Sequence, residues 1–155
     1  MPPCVQYDDL WPDGPRFLRS GAGFALGTDS VLLADFAAHR RVRRFADLGC
    51  GAGVLTVLLL HTLPQATAVG VELQPDAAQL ACGNIKANGL NARAEILCAD
   101  LREHRTVLPA GGFVCAAYSK QRSIICGSLQ KNKRPLDKYI GGGGEKKNKT
   151  AQYMK

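Results

Sequence analysis

The sequence lacks several features that would place the protein in a membrane or outside the cell. Its six cysteines are scattered singly, with no Cys-x-x-Cys pair and no histidine at zinc-ligand spacing, so neither a disulfide framework nor a zinc site is indicated. The most apolar run, Val54 to Leu60, is far short of the roughly 20 residues that a membrane span needs. The N-terminus has neither a basic start nor an apolar stretch. These absences predict a cytoplasmic protein without a metal and without membrane contact.

Acidic residues are scarce toward the C-terminus. Residues 119–155 contain 10 Lys and Arg but only Asp137 and Glu145, whereas residues 1–118 contain 10 Lys and Arg against 11 Asp and Glu. The net charge of +7 therefore belongs to the C-terminal segment, which also carries four consecutive glycines, Gly141 to Gly144. Low apolar content without periodicity predicts a poorly ordered basic tail. Such a tail would attract phosphate, but a charge run without interleaved aromatic residues is usually only solvated.

The chain of 155 residues, 46% of them hydrophobic, is long enough for one domain with its own core. Residues 1–27 are rich in proline and glycine, which predicts an irregular arm or a short hairpin. Thr28 then stands where a helix N-cap belongs, and Asp29 follows in the first turn. The predicted helix runs to about Arg41. Its apolar side is made of Val31, Leu32, Leu33, Phe36 and Ala37.

Short apolar runs alternate with helical segments from residue 45 onward. The predicted strands are Phe45–Leu48, Ala68–Glu72, Ala94–Cys98 and Phe113–Tyr118. The predicted helices are Val54–Leu63 and Pro75–Asn88. Strands that are apolar throughout and alternate with helices indicate an α/β fold, in which a parallel sheet is covered by helices on both faces. A hairpin return through residues 123–126 would cover the outer edge of the fourth strand.

The most informative segment is Asp47-Leu48-Gly49-Cys50-Gly51-Ala52-Gly53. It follows the first strand, at the edge where an open α/β sheet binds its ligand. Glu72 ends the second strand, where a carboxylate can accept both ribose hydroxyls of an adenosine, and Asp100 closes the third strand. The acidic Asp47 beside the glycines suits a cationic ligand. S-adenosylmethionine is such a ligand, because it carries a sulfonium and an amino group.

A nicotinamide dinucleotide is the rival ligand. Its fingerprint is Gly-x-Gly-x-x-Gly, whereas the third glycine here, Gly53, comes one residue early and Val54 takes the later place. The Asp47 carboxylate would also face a pyrophosphate without a counter-ion. S-adenosylmethionine is favoured for both reasons. The other alternative is a structural glycine turn in which the strand-end acids cap helices.

Several segments together resemble the class I S-adenosylmethionine-dependent methyltransferases. They are DLGCGAGV at 47–54, VELQP at 71–75, the helix with Asn84 and Asn88-Gly89, and Ala99-Asp100-Leu101. The upstream segment FALGTDSVLLA at 24–34 resembles the F-x-x-G-T-D-x-V-L-L-A stretch of the bacterial branch that methylates the adenine N6 amine in valine tRNA. The resemblance covers about residues 5–113.

This resemblance implies a Rossmann-like methyltransferase fold, of which residues 28–118 form the N-terminal, cofactor-binding half with parallel strands in the order 3-2-1-4. It implies S-adenosylmethionine as the cofactor and tRNA as the nucleic-acid partner. The donor site that it implies consists of Asp47, Gly49, Cys50, Gly51, Gly53, Glu72, Leu73, Asp100 and Leu101, with Thr28 and Asp29 as further contacts. It assigns no catalytic residue.

The sequence departs from this branch after the fourth strand. Members of the branch have Asn-Pro-Pro-Tyr there, which holds the target amine and stacks on the base, whereas this chain has SKQR at 119–122 and a single nearby aromatic residue, Tyr118. We expect that homologous sequence stops near Phe113 and that an altered C-terminus follows, through a frameshift, truncation or misjoined reading frame. Three functions stay open: a tRNA adenine-N6 methyltransferase, a methyltransferase for another substrate, and a domain that binds the donor without catalysis.

Overall fold

The computed structural model describes residues 6–18, 28–38, 42–108, 115–118 and 123–126. The strands are β1 Tyr7–Asp9, β2 Arg16–Leu18, β3 Arg44–Leu48, β4 Thr67–Glu72, β5 Ala94–Cys98, β6 Cys115–Tyr118 and β7 Ser123–Cys126. The helices are α1 Thr28–Ala38, α2 Val54–Thr62, α3 Pro75–Ala87 and α4 His104–Val107, with a 3-10 turn at Leu101–Glu103. The predicted bounds of β5 agree with the structure, and those of β3, α2, β4 and α3 differ from it by one residue each.

In the described part of the chain, the main sheet contains five strands in the order β5-β4-β3-β6-β7. The first four strands of this order are parallel, and β7 returns antiparallel along β6. Parallel neighbours bring their carboxyl ends to one edge of the sheet, where Leu48 pairs with Val71 and Glu72 with Cys98. The predicted α/β fold with a parallel sheet is confirmed, and β7 covers the outer edge of β6.

Helices cover the two faces of this sheet unequally. On one face, Phe45 of β3 joins a buried apolar cluster with residues of α1, α2 and α3. On the other face, Ala46 and Leu48 belong to a smaller cluster that packs against Leu101 of the 3-10 turn and against α4. Successive residues of a strand point to opposite faces, so Asp47 lies on the side of α2. On the other face, the described residues provide only the 3-10 turn and the short helix α4 as a covering layer.

The N-terminal segment forms the hairpin β1–β2, in which Tyr7 pairs with Leu18 and Asp9 with Arg16. The sequence predicts an irregular arm or a short hairpin for this segment, and its described part forms the short hairpin. Phe17 of β2 is buried in the apolar cluster that α1, α2 and α3 share with the sheet. The hairpin therefore packs onto the α/β core. The predicted domain boundaries at residues 27 and 118 stay predictions.

The apolar side predicted for α1 is wrong for three residues. The buried residues are Ala34 and Ala37, and the exposed ones are Val31, Leu32 and Phe36. The helix is apolar around most of its circumference, so periodicity alone cannot select the face that is buried. The described helix ends at Ala38, and the predicted end at Arg41 lies outside the described residues.

Most of the predicted basic tail, residues 119–155, lies outside the described residues, which include only β7 from this range. Among the helices that the structure describes, none is both long enough and apolar enough to cross a membrane.

A single arginine closes the C-terminal end of α2. The guanidinium of Arg93 donates hydrogen bonds of 2.9 to 3.3 Å to the backbone carbonyls of Leu60, Leu63, Pro64 and Ala66. Leu60 lies in the last turn of α2 and the other three residues follow the helix, so Arg93 supplies donors to carbonyls at the helix end and in the loop after it. Arg93→Ala is expected to lower the free energy of unfolding by about 2 kcal/mol, measured by urea denaturation. Arg93→Lys should recover only part of this, and a wild-type urea midpoint in Arg93→Ala would contradict the capping role.

Candidate functional site

The turn between β3 and α2 has a backbone that favours glycine at three positions. Gly49, Gly51 and Gly53 have φ angles of 74°, 54° and 76°. This left-handed region is strained for residues with a Cβ atom. The amide of Gly53 donates to the carbonyl of Cys50 at 2.8 Å, and the Gly53 carbonyl accepts the first hydrogen bond of α2 from Val57 at 2.9 Å. The glycines thus turn the chain sharply from the strand into the helix.

The same turn is fixed to the neighbouring strand. The amides of Gly49 and Cys50 donate to the carbonyl of Val71 in β4, at 2.7 and 3.0 Å. A Cβ atom on Gly53 would lie 3.1 Å from the Cβ of Ala81, whereas a Cβ atom on Gly51 would meet nothing within 4 Å. Gly53 therefore allows close packing of the turn on α3, and Gly51 borders open space at the edge of the sheet.

Asp47 is fully buried beneath this turn. Its Oδ2 accepts a hydrogen bond of 2.7 Å from the hydroxyl of Thr56, and its Oδ1 has no hydrogen-bond partner among the described residues. Burial raises the pKa of Asp47 to about 6, the hydrogen bonds with Thr56 oppose this shift, and the charge of Glu72 adds to it. The described residues therefore leave one buried carboxylate oxygen unsatisfied.

Glu72 ends β4 and is also buried. Its Oε2 accepts a hydrogen bond from the amide of Gly51 at 2.9 Å, and its Oε1 accepts one from the amide of Gln74 at 3.0 Å. The structure thus joins the predicted second carboxylate directly to the glycine turn. Each carboxylate oxygen can accept a further hydrogen bond, so Glu72 keeps capacity for a ligand hydroxyl.

Cys50 packs tightly inside the turn. Its Sγ lies 3.0 Å from the position that a Cβ atom on Gly70 would occupy. Burial raises the pKa of the Cys50 thiol well above its usual range, and the charges of Asp47 and Glu72 add to this shift. The thiol is therefore neutral and packs as a small apolar side chain. It is not a nucleophile, because a nucleophilic cysteine needs a lowered pKa.

The other predicted site residues lie in different environments. Leu73 follows Glu72 and is 57% exposed, which is unusual for a large apolar side chain. Asp100 accepts hydrogen bonds from the amide and the guanidinium of Arg102, and these hold its pKa below the usual range. Leu101 packs on the cluster at the other face of the sheet. Thr28 and Asp29 begin α1, and their side chains lie outside the described part.

The two carboxylates and the glycine turn at this edge of the sheet fit S-adenosylmethionine. The Oδ1 of Asp47 is buried and unsatisfied among the described residues, and the open space beside Gly51 allows a ligand to approach the backbone. Glu72 stands at the adjacent strand end, where a ribose can be bound. Among the described residues, no group of three His, Cys, Asp or Glu side chains could hold a metal ion.

Sequence reasoning missed Thr56 and the contacts of Asn84 with the turn. Thr56 is the only polar residue in the run Val54 to Leu60, and a buried hydroxyl in an apolar helix has to find a partner. That signal predicts a buried acceptor nearby, which is Asp47. The amide nitrogen of Asn84 donates to the carbonyl of Ala52 at 2.8 Å, and no local pattern reveals a contact across 32 residues.

The fold is that of Rossmann-like methyltransferases. The protein Rv0187 from MTB, solved with its cofactor, has a TM-score of 0.52 and 24% identity to this chain, and the match covers 64% of this chain and 45% of that one. An O-methyltransferase from Bacillus cereus, solved in complex with SAH, has a TM-score of 0.51 and 19% identity, and the match covers 64% and 46% of the two chains. At this identity the likeness concerns the fold alone.

Residues 20–108 match the family model of the methyltransferase small domain, and the chain belongs to this family. The tRNA1(Val) (adenine(37)-N6)-methyltransferases of Yersinia pestis (strain Pestoides F) and of Yersinia pseudotuberculosis serotype O:1b are each 37% identical over 79 residues. The match covers 50% of this chain and 32% of each relative, so the chain spans about a third of the length of these curated relatives. The resemblance to methyltransferases is confirmed.

Proposed function

We propose that the chain binds S-adenosylmethionine at the edge formed by β3, β4 and β5, as the donor half of a methyltransferase. The observation that carries this proposal is the fully buried Asp47, whose Oδ1 has no partner among the described residues, together with the open space at Gly51 in the turn that follows. An unpaired buried carboxylate costs free energy unless a cation or donor meets it, and such residues are concentrated at binding sites.

Each predicted residue has a role in this proposal. Asp47 pairs with the cationic part of the donor, and Glu72 holds the ribose hydroxyls. The exposed Leu73 offers an apolar surface to the adenine, with Asp100 and Leu101 at the next strand end. The turn glycines Gly49, Gly51 and Gly53, with Cys50 packed among them, keep the backbone close to the ligand, while Thr28 and Asp29 close the site from α1. When bound, the donor supplies an electrophilic methyl group on a sulfonium.

The proposed acceptor is the N6 amine of an adenine in tRNA. The names of the relatives at 37% identity and the segment FALGTDSVLLA support this substrate. The lone pair of that amine is conjugated with the ring, so a site must aim it in line with the methyl group by positioning and polarisation. The base must also leave its stack to enter a pocket. A tRNA substrate agrees with the cytoplasmic location predicted from the sequence.

A second candidate is donor binding without catalysis. The observation that favours it is the sequence SKQR at 119–122, where relatives of this branch have Asn-Pro-Pro-Tyr. None of these four residues matches the Asn, the two Pro or the Tyr that hold the target base in that branch. Transfer would then require another polypeptide or another substrate.

Calorimetry with S-adenosylmethionine, followed by transfer of a labelled methyl group to unmodified tRNA, separates the two candidates. Donor binding together with labelled N6-methyladenine supports the tRNA methyltransferase. Donor binding without label in tRNA selects the non-catalytic candidate. The absence of donor binding by a folded chain contradicts both.

Donor affinity should depend on pH through Asp47. A cation pairs with the ionised carboxylate, and the pKa of Asp47 is about 6, so protonation competes with binding as the pH falls. We expect the affinity for S-adenosylmethionine to fall about tenfold between pH 7 and pH 5. The uncharged ligand 5′-methylthioadenosine should bind with little change over the same range. Equal pH profiles for the two ligands would contradict the pairing of the cation with Asp47.

A further inference from the structure

Asn84 of α3 and Asn88, the C-cap of the same helix, hold the free edge of the N-terminal hairpin. The side chain of Asn88 accepts a hydrogen bond from the amide of Arg16 at 3.0 Å and donates one to the carbonyl of the same residue at 2.7 Å. The Oδ1 of Asn84 accepts a hydrogen bond from the amide of Leu18 at 2.8 Å. The two amide side chains thus satisfy backbone groups that an edge strand would otherwise expose.

Asn84 makes a second contact that Asn88 does not make. Its Nδ2 donates to the carbonyl of Ala52 at 2.8 Å, and Asn84 is fully buried. Ala52 lies between Gly51, whose amide donates to Glu72, and Gly53, which is the N-cap of α2. One side chain therefore connects the hairpin with the middle of the glycine turn.

The hairpin cannot move away from α3 without disturbing this connection. A Cβ atom on Gly83 would lie 2.4 Å from the Cδ1 of Leu18, so β2 packs directly on the helix backbone. A buried amide that loses one partner keeps the cost of an unsatisfied group. Loss of either contact of Asn84, with β2 or with the turn, would therefore leave a buried polar group without a partner.

We propose that Asn84 is a positioning residue for the methyl donor, through which the docked hairpin holds the carbonyl of Ala52 and fixes the glycine turn in its binding conformation. This inference rests on the proposed function, because it concerns the same donor site. The competing role is purely structural: Asn84, like Asn88, would only attach the hairpin to α3.

Two aspartate substitutions separate these roles. Asn84→Asp keeps an acceptor for the amide of Leu18 but replaces the donor to Ala52 with a second oxygen. Asn88→Asp is the matched control, because it keeps the acceptor for Arg16 and loses donors that do not reach the turn. Asn84→Ala is the second variant, in case a buried carboxylate prevents folding.

The measurements are calorimetric affinity for S-adenosylhomocysteine, thermal unfolding, and amide exchange of Gly53 by NMR in the full chain. We expect at least tenfold weaker binding and at least tenfold faster exchange of Gly53 in Asn84→Asp or Asn84→Ala. Asn88→Asp should stay within about twofold of the wild type in both, although its unfolding temperature falls.

Equal behaviour of the Asn84 and Asn88 variants in affinity and exchange would overturn the proposal in favour of hairpin attachment alone. If the wild-type chain binds no donor, the proposed function fails. The exchange of Gly53 still tests the positioning role in that case, because it needs no ligand.

Discussion

Asp47→Asn is expected to abolish binding of S-adenosylmethionine without lowering the free energy of unfolding at pH 8. The substitution removes the anionic partner that we propose for the cationic ligand. It also removes a buried charge, whose pKa is raised from 3.8 to about 6, and this rise corresponds to a cost of about 3 kcal/mol in the ionised form. Calorimetry and urea denaturation measure the two effects. Stability and binding should therefore change independently at this residue.

The effect of Asp47→Asn on the free energy of unfolding should depend on pH. Because the pKa of Asp47 is raised on folding, its proton stabilises the native state below about pH 4, and this contribution is lost as the pH rises through 6. The stability of Asp47→Asn relative to the wild type should therefore be greater at pH 8 than at pH 4. The matched control is Asp76→Asn, which removes the same charge from an exposed position at the start of α3. Equal donor affinity in Asp47→Asn and Asp76→Asn would contradict the assigned role of Asp47.

Gly51→Ala and Gly53→Ala are expected to have different effects although they lie two residues apart. Both glycines have a positive φ angle, which costs about 1 to 2 kcal/mol for alanine. The Cβ atom on Gly51 meets nothing within 4 Å, so Gly51→Ala should stay folded and should lose donor affinity because its methyl group enters the ligand space. Gly53→Ala adds a contact of 3.1 Å with the Cβ of Ala81. Its free energy of unfolding should therefore fall by about a further 1 to 3 kcal/mol, which is the usual cost of overpacking.

Gly89→Ala is the control for this pair. Gly89 has a φ angle of 66° and open space around its Cα, and it lies at the C-terminal end of α3. It should show the backbone cost without a loss of donor affinity. Thermal unfolding and calorimetry on the three variants give the comparison. Wild-type affinity in folded Gly51→Ala would show that no ligand approaches the turn at this point.

The sequence predicts the sheet and the positions of the two carboxylates at its edge, because both follow from local patterns. The apolar run 94–98 is a strand in a parallel sheet, as predicted. Asp47 and Glu72 occupy adjacent strand ends, as the spacing of the glycine segment and the second strand predicts. Parallel pairing then brings them together, since parallel strands end at one edge.

The features that the sequence did not reveal depend on contacts between distant segments. The buried face of α1 is set by what packs on it, and Leu32 and Phe36 are exposed although they are apolar. Asn84 reaches Leu18 and Ala52, which lie 66 and 32 residues away. The raised pKa of Asp47 follows from burial beneath the turn, which a strand-end position alone does not predict.

Titration of the full chain with S-adenosylhomocysteine tests the central claim most directly. The protein should be shown to be folded by circular dichroism and then titrated at pH 7, beside Asp47→Asn and Asp76→Asn. We predict saturable binding at one site for the wild type and Asp76→Asn, and no binding for Asp47→Asn. A folded wild-type chain that does not bind, or an Asp47→Asn variant that binds equally well, would contradict the assignment of this edge as the methyl-donor site.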